Sequence, residues 1–126
     1  MQQVIQVTTS NYCEKVNKEG KAALIFVGDI LDLTGQSWCS DTVEAEPIIK
    51  NYAIPELQQR GYQIYWCWGG DKETWYDQNN PARNSQWIKI REVPTLLLIH
   101  DNKEVIRFEE EQLFTEKELK QYLEQQ

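Results

Sequence analysis

Ala22-Ala23-Leu24-Ile25-Phe26-Val27 is continuously apolar and stops after six residues. A run of that length between polar neighbours reads as a strand buried on both faces, the kind found in parallel sheets. A polar loop with two glycines follows over 28–37, and Trp38-Cys39-Ser40-Asp41-Thr42 then opens a helical pattern that extends to about residue 59. Val43, Ile48, Ile49 and Tyr52 supply its apolar face. Proline lacks an N–H and its ring crowds the preceding turn, so a kink is expected near Pro47 and a break near Pro55.

Working outward, residues 4–7 are β-prone, and Thr8, Thr9 and Ser10 are candidate caps for a helix reaching about residue 18. Tyr12 and Val16 share a face of that helix, and Gly20 stops it. Residues 62–68, YQIYWCW, form an aromatic third strand. The stretch 69–81 is polar and turn-rich, with a short helix expected over 82–87. Strands over 95–99 and 104–108 flank a turn at Asp101-Asn102-Lys103 and pair as a hairpin. Thr115 with Glu118 fits a capping box for a last helix to about residue 124, whose buried face is Leu119, Tyr122 and Leu123. Strands alternating with helices give an α/β fold with a mixed central sheet, parallel strands plus a closing antiparallel hairpin, in a single domain over 1–126.

Thirteen Lys and Arg against twenty Asp and Glu leave a net charge of −7, which repels phosphate backbones and suits neither nucleic acid nor an anionic membrane surface. No apolar run approaches the ~20 residues of a transmembrane helix. The opening MQQVIQVTTSNYCEK lacks the basic and apolar regions of a signal peptide, so a cytoplasmic location is expected. Three cysteines, Cys13, Cys39 and Cys67, are too few and too odd in number for a disulfide-stapled fold. No zinc-ligand spacing is present, so no metal is expected.

Cys39 is the residue with chemistry. It follows a strand and a loop and begins a long helix, where unpaired first-turn N–H groups and the helix dipole favour a thiolate. Only the thiolate attacks disulfides, which makes Cys39 the candidate nucleophile. Asp41 opposes this through its charge, although it can also accept bonds from the first-turn N–H groups.

The segment Trp38-Cys39-Ser40-Asp41-Thr42 resembles the WCxxC motif of thioredoxins and, within them, the WCPDC of the fourteen-kilodalton thioredoxin-related family, thioredoxin domain-containing protein 17. Ser37, Val43, Ala45-Glu46-Pro47, Tyr65 with Cys67, Trp75, Asn79-Asn80 and Val93-Pro94-Thr95 are similar to that family in order and spacing. The resemblance covers the chain from about Gly20 onward. It implies a thioredoxin fold with helices on both faces of the sheet and thiol–disulfide oxidoreductase activity without a bound cofactor. The partners it implies are disulfide-containing proteins or small disulfides, with thioredoxin reductase or glutathione as reductant. It also implies a cis peptide bond between Val93 and Pro94. That loop would face Cys39 and offer its backbone, with Trp38, to an extended substrate.

Two motif positions depart from the family. Ser40 stands where the family has proline, and Thr42 where it has the resolving cysteine. A threonine hydroxyl cannot release a mixed disulfide, so the expected chemistry is monothiol. Intramolecular attack can correspond to ~10⁵ M or more of effective concentration when geometry is ideal, far above any outside thiol. Two other readings stay open: a redox-inactive thioredoxin-fold binding module, and a resolving-cysteine variant that traps its substrate.

Cys67 reads as a buried strand thiol rather than a partner for Cys39, and Cys13 as structural or exposed. Trp66, Trp68, Trp75 and Trp87 read as packing residues, and His100 as a strand-end surface residue. Thioredoxins carry a buried carboxylate on the strand before the motif. Residues 22–27 have none, and Asp29 and Asp32 are expected to be solvated, so no proton shuttle is assigned.

Overall fold

The computed structural model describes residues 3–126. Five strands, β1 (Ile5–Thr8), β2 (Lys21–Val27), β3 (Gln63–Trp68), β4 (Thr95–His100) and β5 (Lys103–Glu109), form one sheet in the order β1-β3-β2-β4-β5. β1 and β2 run parallel to β3, whereas β4 is antiparallel to β2 and to β5. The sheet is thus mixed, as the element order requires. Residues 22–27 form its fully buried middle strand. Asp101 and Asn102 turn the closing hairpin with φ of 47° and 71°, the left-handed pair that a two-residue turn demands.

Side chains alternate across the sheet, so β2 feeds two cores. Ala23, Ile25 and Val27 face one side, under α2 (Ser40–Ile48), α3 (Ile54–Gln59) and α5 (Lys117–Glu124), which contribute Ala45, Leu57, Leu119 and Leu123. Ala22, Leu24 and Phe26 face the other, against α1 (Tyr12–Lys15), α4 (Lys72–Tyr76) and the loop that carries Ile88, Ile90 and Val93. The helices therefore cover both faces.

Several local expectations change. The first helix is only Tyr12–Lys15, with Asn11 as N-cap, although Tyr12 and Val16 are both buried as the spacing required. The long helix does not break at Pro55. Between α2 and α3 the chain widens into a π-helical turn over Ile49–Ala53, in which Ile54 N–H bonds to Ile49 O five residues back. Pro55 then sits in the first turn of α3, where a missing N–H costs least. Pro47 lies inside α2.

No helix forms over 82–87. The helix is instead α4, inside the stretch read as turns. Asp71 caps it by accepting Thr74 N–H at 2.8 Å, and Trp75, fully buried, anchors it. The Asp71-Lys72-Glu73 start is a helix signal that the surrounding glycines and asparagines obscure. The capping box is likewise displaced: Glu109 and Gln112 form it around a 3-10 turn at Glu110–Leu113, whereas α5 has no side-chain cap bond. The acidic run 109–111 is tied into the structure. Glu109 pairs with Arg91 at 2.9 Å, and Glu110 is held at φ 52° with its N–H on Pro94 O at 3.0 Å. Among the described residues no helix is long and apolar enough to cross a membrane.

Candidate active site around Cys39

The parallel strands β2 and β3 end side by side, with Phe26 opposite Cys67 and Val27 opposite Trp68. The antiparallel β4 begins at that same edge, Thr95 opposite Phe26. Sheet direction alone therefore brings the loop after β2, which leads to Cys39, and the loop before β4, which holds Val93 and Pro94, to one rim. This is where α/β sheets build their sites.

Cys39 is the N-cap residue of α2, with extended φ −89° and ψ 111°. Its Sγ lies 3.5 Å from Val93 O, and the Val93–Pro94 peptide bond is cis. Cys39 is half-buried, while Val93 is 4% exposed. The thiol thus stands at a surface, with one side against the Val93 backbone.

The loop is tied down by its own polar groups. Ser37 Oγ donates to Gly28 O at 2.8 Å and accepts the Cys39 N–H at 3.1 Å, so one hydroxyl fixes both ends of the approach to the thiol. Trp38 Nε1 donates to Gly70 O at 2.8 Å, and the Trp38 ring meets Tyr76 edge-on at 5.9 Å between centroids. Asp29 is a structural tie rather than a solvated carboxylate. Its Oδ1 accepts Gly70 N–H at 3.0 Å, and its carbonyl accepts Trp38 N–H at 3.1 Å. Asp32 is exposed. Gly28 lets these groups close in, since a Cβ there would lie 2.8 Å from Ser37 Oγ and 2.9 Å from the Trp38 ring.

Thr42 is 2% exposed, one helical turn beyond Cys39, and its Oγ1 accepts Gly28 N–H at 3.3 Å. That bond ends the β2 backbone on the helix. Ser40 is exposed, and Asp41 half-exposed.

The structure brings Trp38, Cys39, Thr42, Val93 and Pro94 together. It keeps the other cysteines apart in character. Cys67 is wholly buried in β3, and burial pushes its thiol well above the ordinary value. Cys13 Sγ sits 3.3 Å from Ser85 Oγ. All three cysteines are free. His100 ends β4 at the edge opposite Pro94 and bonds Tyr62 OH. Sequence reasoning overlooked Ser37 and Gly28 as supports of the thiol. Only their approach across the loop reveals them.

The sequence matches the family described as thioredoxin domain-containing protein 17-like, thioredoxin domain, over residues 3–125. The chain belongs to that family. Thioredoxin domain-containing protein 17 of Mus musculus is 43% identical over 79 residues, 63% of this chain and 61% of that protein. The thioredoxin-like protein Clot of Arabidopsis thaliana is 36% identical over 74 residues, 59% of this chain and 54% of that protein. These alignments span roughly three-fifths or less of the relatives' own length. In structure, thioredoxin f2 of Chlamydomonas reinhardtii superposes with a TM-score of 0.59 over 98% of this chain and 95% of that one, at 12% identity. The fold is the thioredoxin fold.

Proposed function

We propose that the protein is a single-domain thiol–disulfide oxidoreductase of the thioredoxin-related type, restricted to monothiol chemistry at Cys39 and acting in a reducing, cytoplasmic compartment. The observation that carries the reading is the meeting of Cys39 Sγ with Val93 O beside a cis proline, while a threonine fills the helix position one turn on. An extended substrate lies along the Val93-Pro94 loop as an added strand, with Trp38 against it. The Cys39 thiolate attacks one sulfur of the substrate disulfide. A bond forms between Cys39 and that sulfur, the old S–S bond breaks, and the other sulfur leaves as a thiolate.

Thr42 carries a hydroxyl that stays protonated near neutral pH and cannot form a disulfide, and its oxygen already accepts Gly28 N–H. The mixed disulfide therefore waits for an outside thiol such as glutathione. That thiol attacks the substrate sulfur, frees the Cys39 thiolate and keeps the substrate half as its own mixed disulfide. Electrons come from the outside thiol, and no bound cofactor or metal takes part.

Stopped-flow release of a Cys39–glutathione or Cys39–cysteine adduct tests this. The expected release rate rises in proportion to reduced glutathione, and Thr42→Cys makes it largely independent of glutathione, provided the sulfur–sulfur geometry is met. Release that is independent of glutathione in the unaltered chain overturns the monothiol reading, with Cys67 the first suspect. Failure to form an adduct, together with partner binding that survives Cys39→Ser, indicates instead a thioredoxin-fold binding module.

A further inference from the structure

A second feature lies on the other side of the motif helix. Between α2–α3 and the strands β1 and β3, a cavity of about 410 Å³ opens on the face of the sheet. That is within the range of small-molecule sites, roughly 300–1,000 Å³. Its walls are apolar: Val27, Ile54, Trp66 and Trp68, with Ile30 from the loop. Trp66 and Trp68 meet edge-on, their centroids 6.0 Å apart. Along the helix, Thr42, Glu46, Lys50 and Ile54 line the cavity at intervals of four.

The polar groups within it are mostly occupied. Thr42 Oγ1 holds Gly28 N–H, Ser37 Oγ holds Gly28 O and Cys39 N–H, and Trp68 Nε1 donates to Gln6 Oε1 at 2.9 Å. The charged groups at the rim pair with each other, yet keep spare bonding capacity. Lys50 Nζ lies 2.5 Å from Glu46 Oε1 and 5.4 Å from the Trp66 ring centroid. Their side chains are 53% and 34% exposed. Lysine has three donors and Glu46 a second oxygen, so both can take a further partner.

This combination selects a ligand class. The body must be apolar to lie against the tryptophans. The head must carry both signs, because a lone anion meets Glu46, and a lone cation meets Lys50, beside its intended partner. We propose that the cavity binds a free α-amino acid with an aromatic side chain: carboxylate on Lys50, ammonium on Glu46, ring against Trp66 and Trp68. The assignment does not depend on the redox reading. It does place the ligand on Thr42 and Ser37, one hydrogen bond from the backbone of Cys39.

Amide-resolved NMR titration of the full chain tests it, with L-phenylalanine as the probe. N-acetyl-L-phenylalanine and L-phenylalanine methyl ester, each with one charge, are the comparison ligands. Saturable shifts at Thr42, Lys50, Trp66 and Trp68 are expected, with a dissociation constant on the order of a millimolar for a ligand of this size. Each singly charged analogue should bind roughly tenfold more weakly, the loss of one charge-assisted hydrogen bond. Lys50→Ala, at an exposed position, should weaken phenylalanine by a similar factor. Ile54→Trp should fill the cavity and abolish the shifts, with the Cys39 alkylation rate as its check of folding. Equal binding of either analogue, no saturation at tens of millimolar, or shifts unaffected by Lys50→Ala would each overturn the proposal.

Discussion

Cys39 and Cys67 border the same apolar cluster, yet their surroundings differ in every respect that matters to a thiol. Cys67 lies in the middle of three parallel strands, opposite Phe26 on one side and Val7 on the other, with no exposed surface. Cys39 lies where a helix begins, half-exposed, with its N–H on Ser37 and its sulfur at Val93 O. The lesson is that access to a thiol here belongs to the sheet edge and its loops, not to cysteine as a residue type. The strand interior turns a thiol into a small hydrophobe.

The largest effect expected from this contrast is kinetic. Under limiting alkylation near neutral pH, Cys39 should be labelled at least about a thousandfold faster than Cys67, because Cys67 reacts only after its strand opens, and each 1.4 kcal/mol of opening is a factor of ten. Peptide mass spectrometry against time reads the ratio. Comparable labelling of the two in the folded protein breaks the contrast.

The same substitution at the two sites should separate in stability. Cys67→Ser places a hydroxyl in an apolar layer and should cost about 1–3 kcal/mol. Cys39→Ser at the rim should stay within about 0.5 kcal/mol. Urea denaturation of both variants compares them directly. Gly28→Ala sharpens the account of the rim. Its methyl would press on Ser37 Oγ and the Trp38 ring, costing about 1–3 kcal/mol. It should also slow Cys39 labelling by displacing the hydroxyl that holds its N–H, whereas labelling of Cys67 under denaturing conditions should not change.

The smallest effect concerns the acidic neighbours of the rim. Desolvation, and then the nearby Glu92 and Asp41 carboxylates, raise the Glu110 carboxyl above its ordinary value. The folded protein therefore holds this proton more tightly than the unfolded chain. The stability contributed by protonated Glu110 is present at low pH and lost as pH rises through the raised value. Glu110→Gln should accordingly melt slightly higher than the parent at pH 7 and no higher at pH 4. A gain that is equal at both pH values would assign the effect to the strained φ of Glu110 or to its contacts rather than to its charge.

Much of the site was legible in the residues, but unevenly. The six apolar residues 22–27 marked a central strand because few other environments accept such a run. Cys39 stood out because strand, loop and helix start coincide there. The elements misread were those whose local signal is weak or outvoted. Residues 69–81 read as turns because glycine, asparagine and aspartate dominate them, yet buried Trp75 and the Asp71 cap hold a helix there. Pro55 read as a break, but a π-helical turn absorbed it. Asp29 read as a solvated charge and proved to be a tie between loops, and Glu109 ties the last strand to Arg91. No spacing in the chain announces a partner 41 or 18 residues away.

The sequence by itself determined the α/β order, the central strand, the acidic surface and the replacement of a second motif cysteine by Thr42. These are properties of composition and short-range pattern, and period and residue type state them directly. Only the tertiary structure decided which groups surround Cys39. Val93 lies 54 residues from it in the chain, and Gly28 lies 14 from Thr42. Such contacts follow from the direction and order of strands in the sheet, which put the end of β2 and the start of β4 on one edge. They depend on which surfaces pack together, and that is a property of the whole fold rather than of any segment.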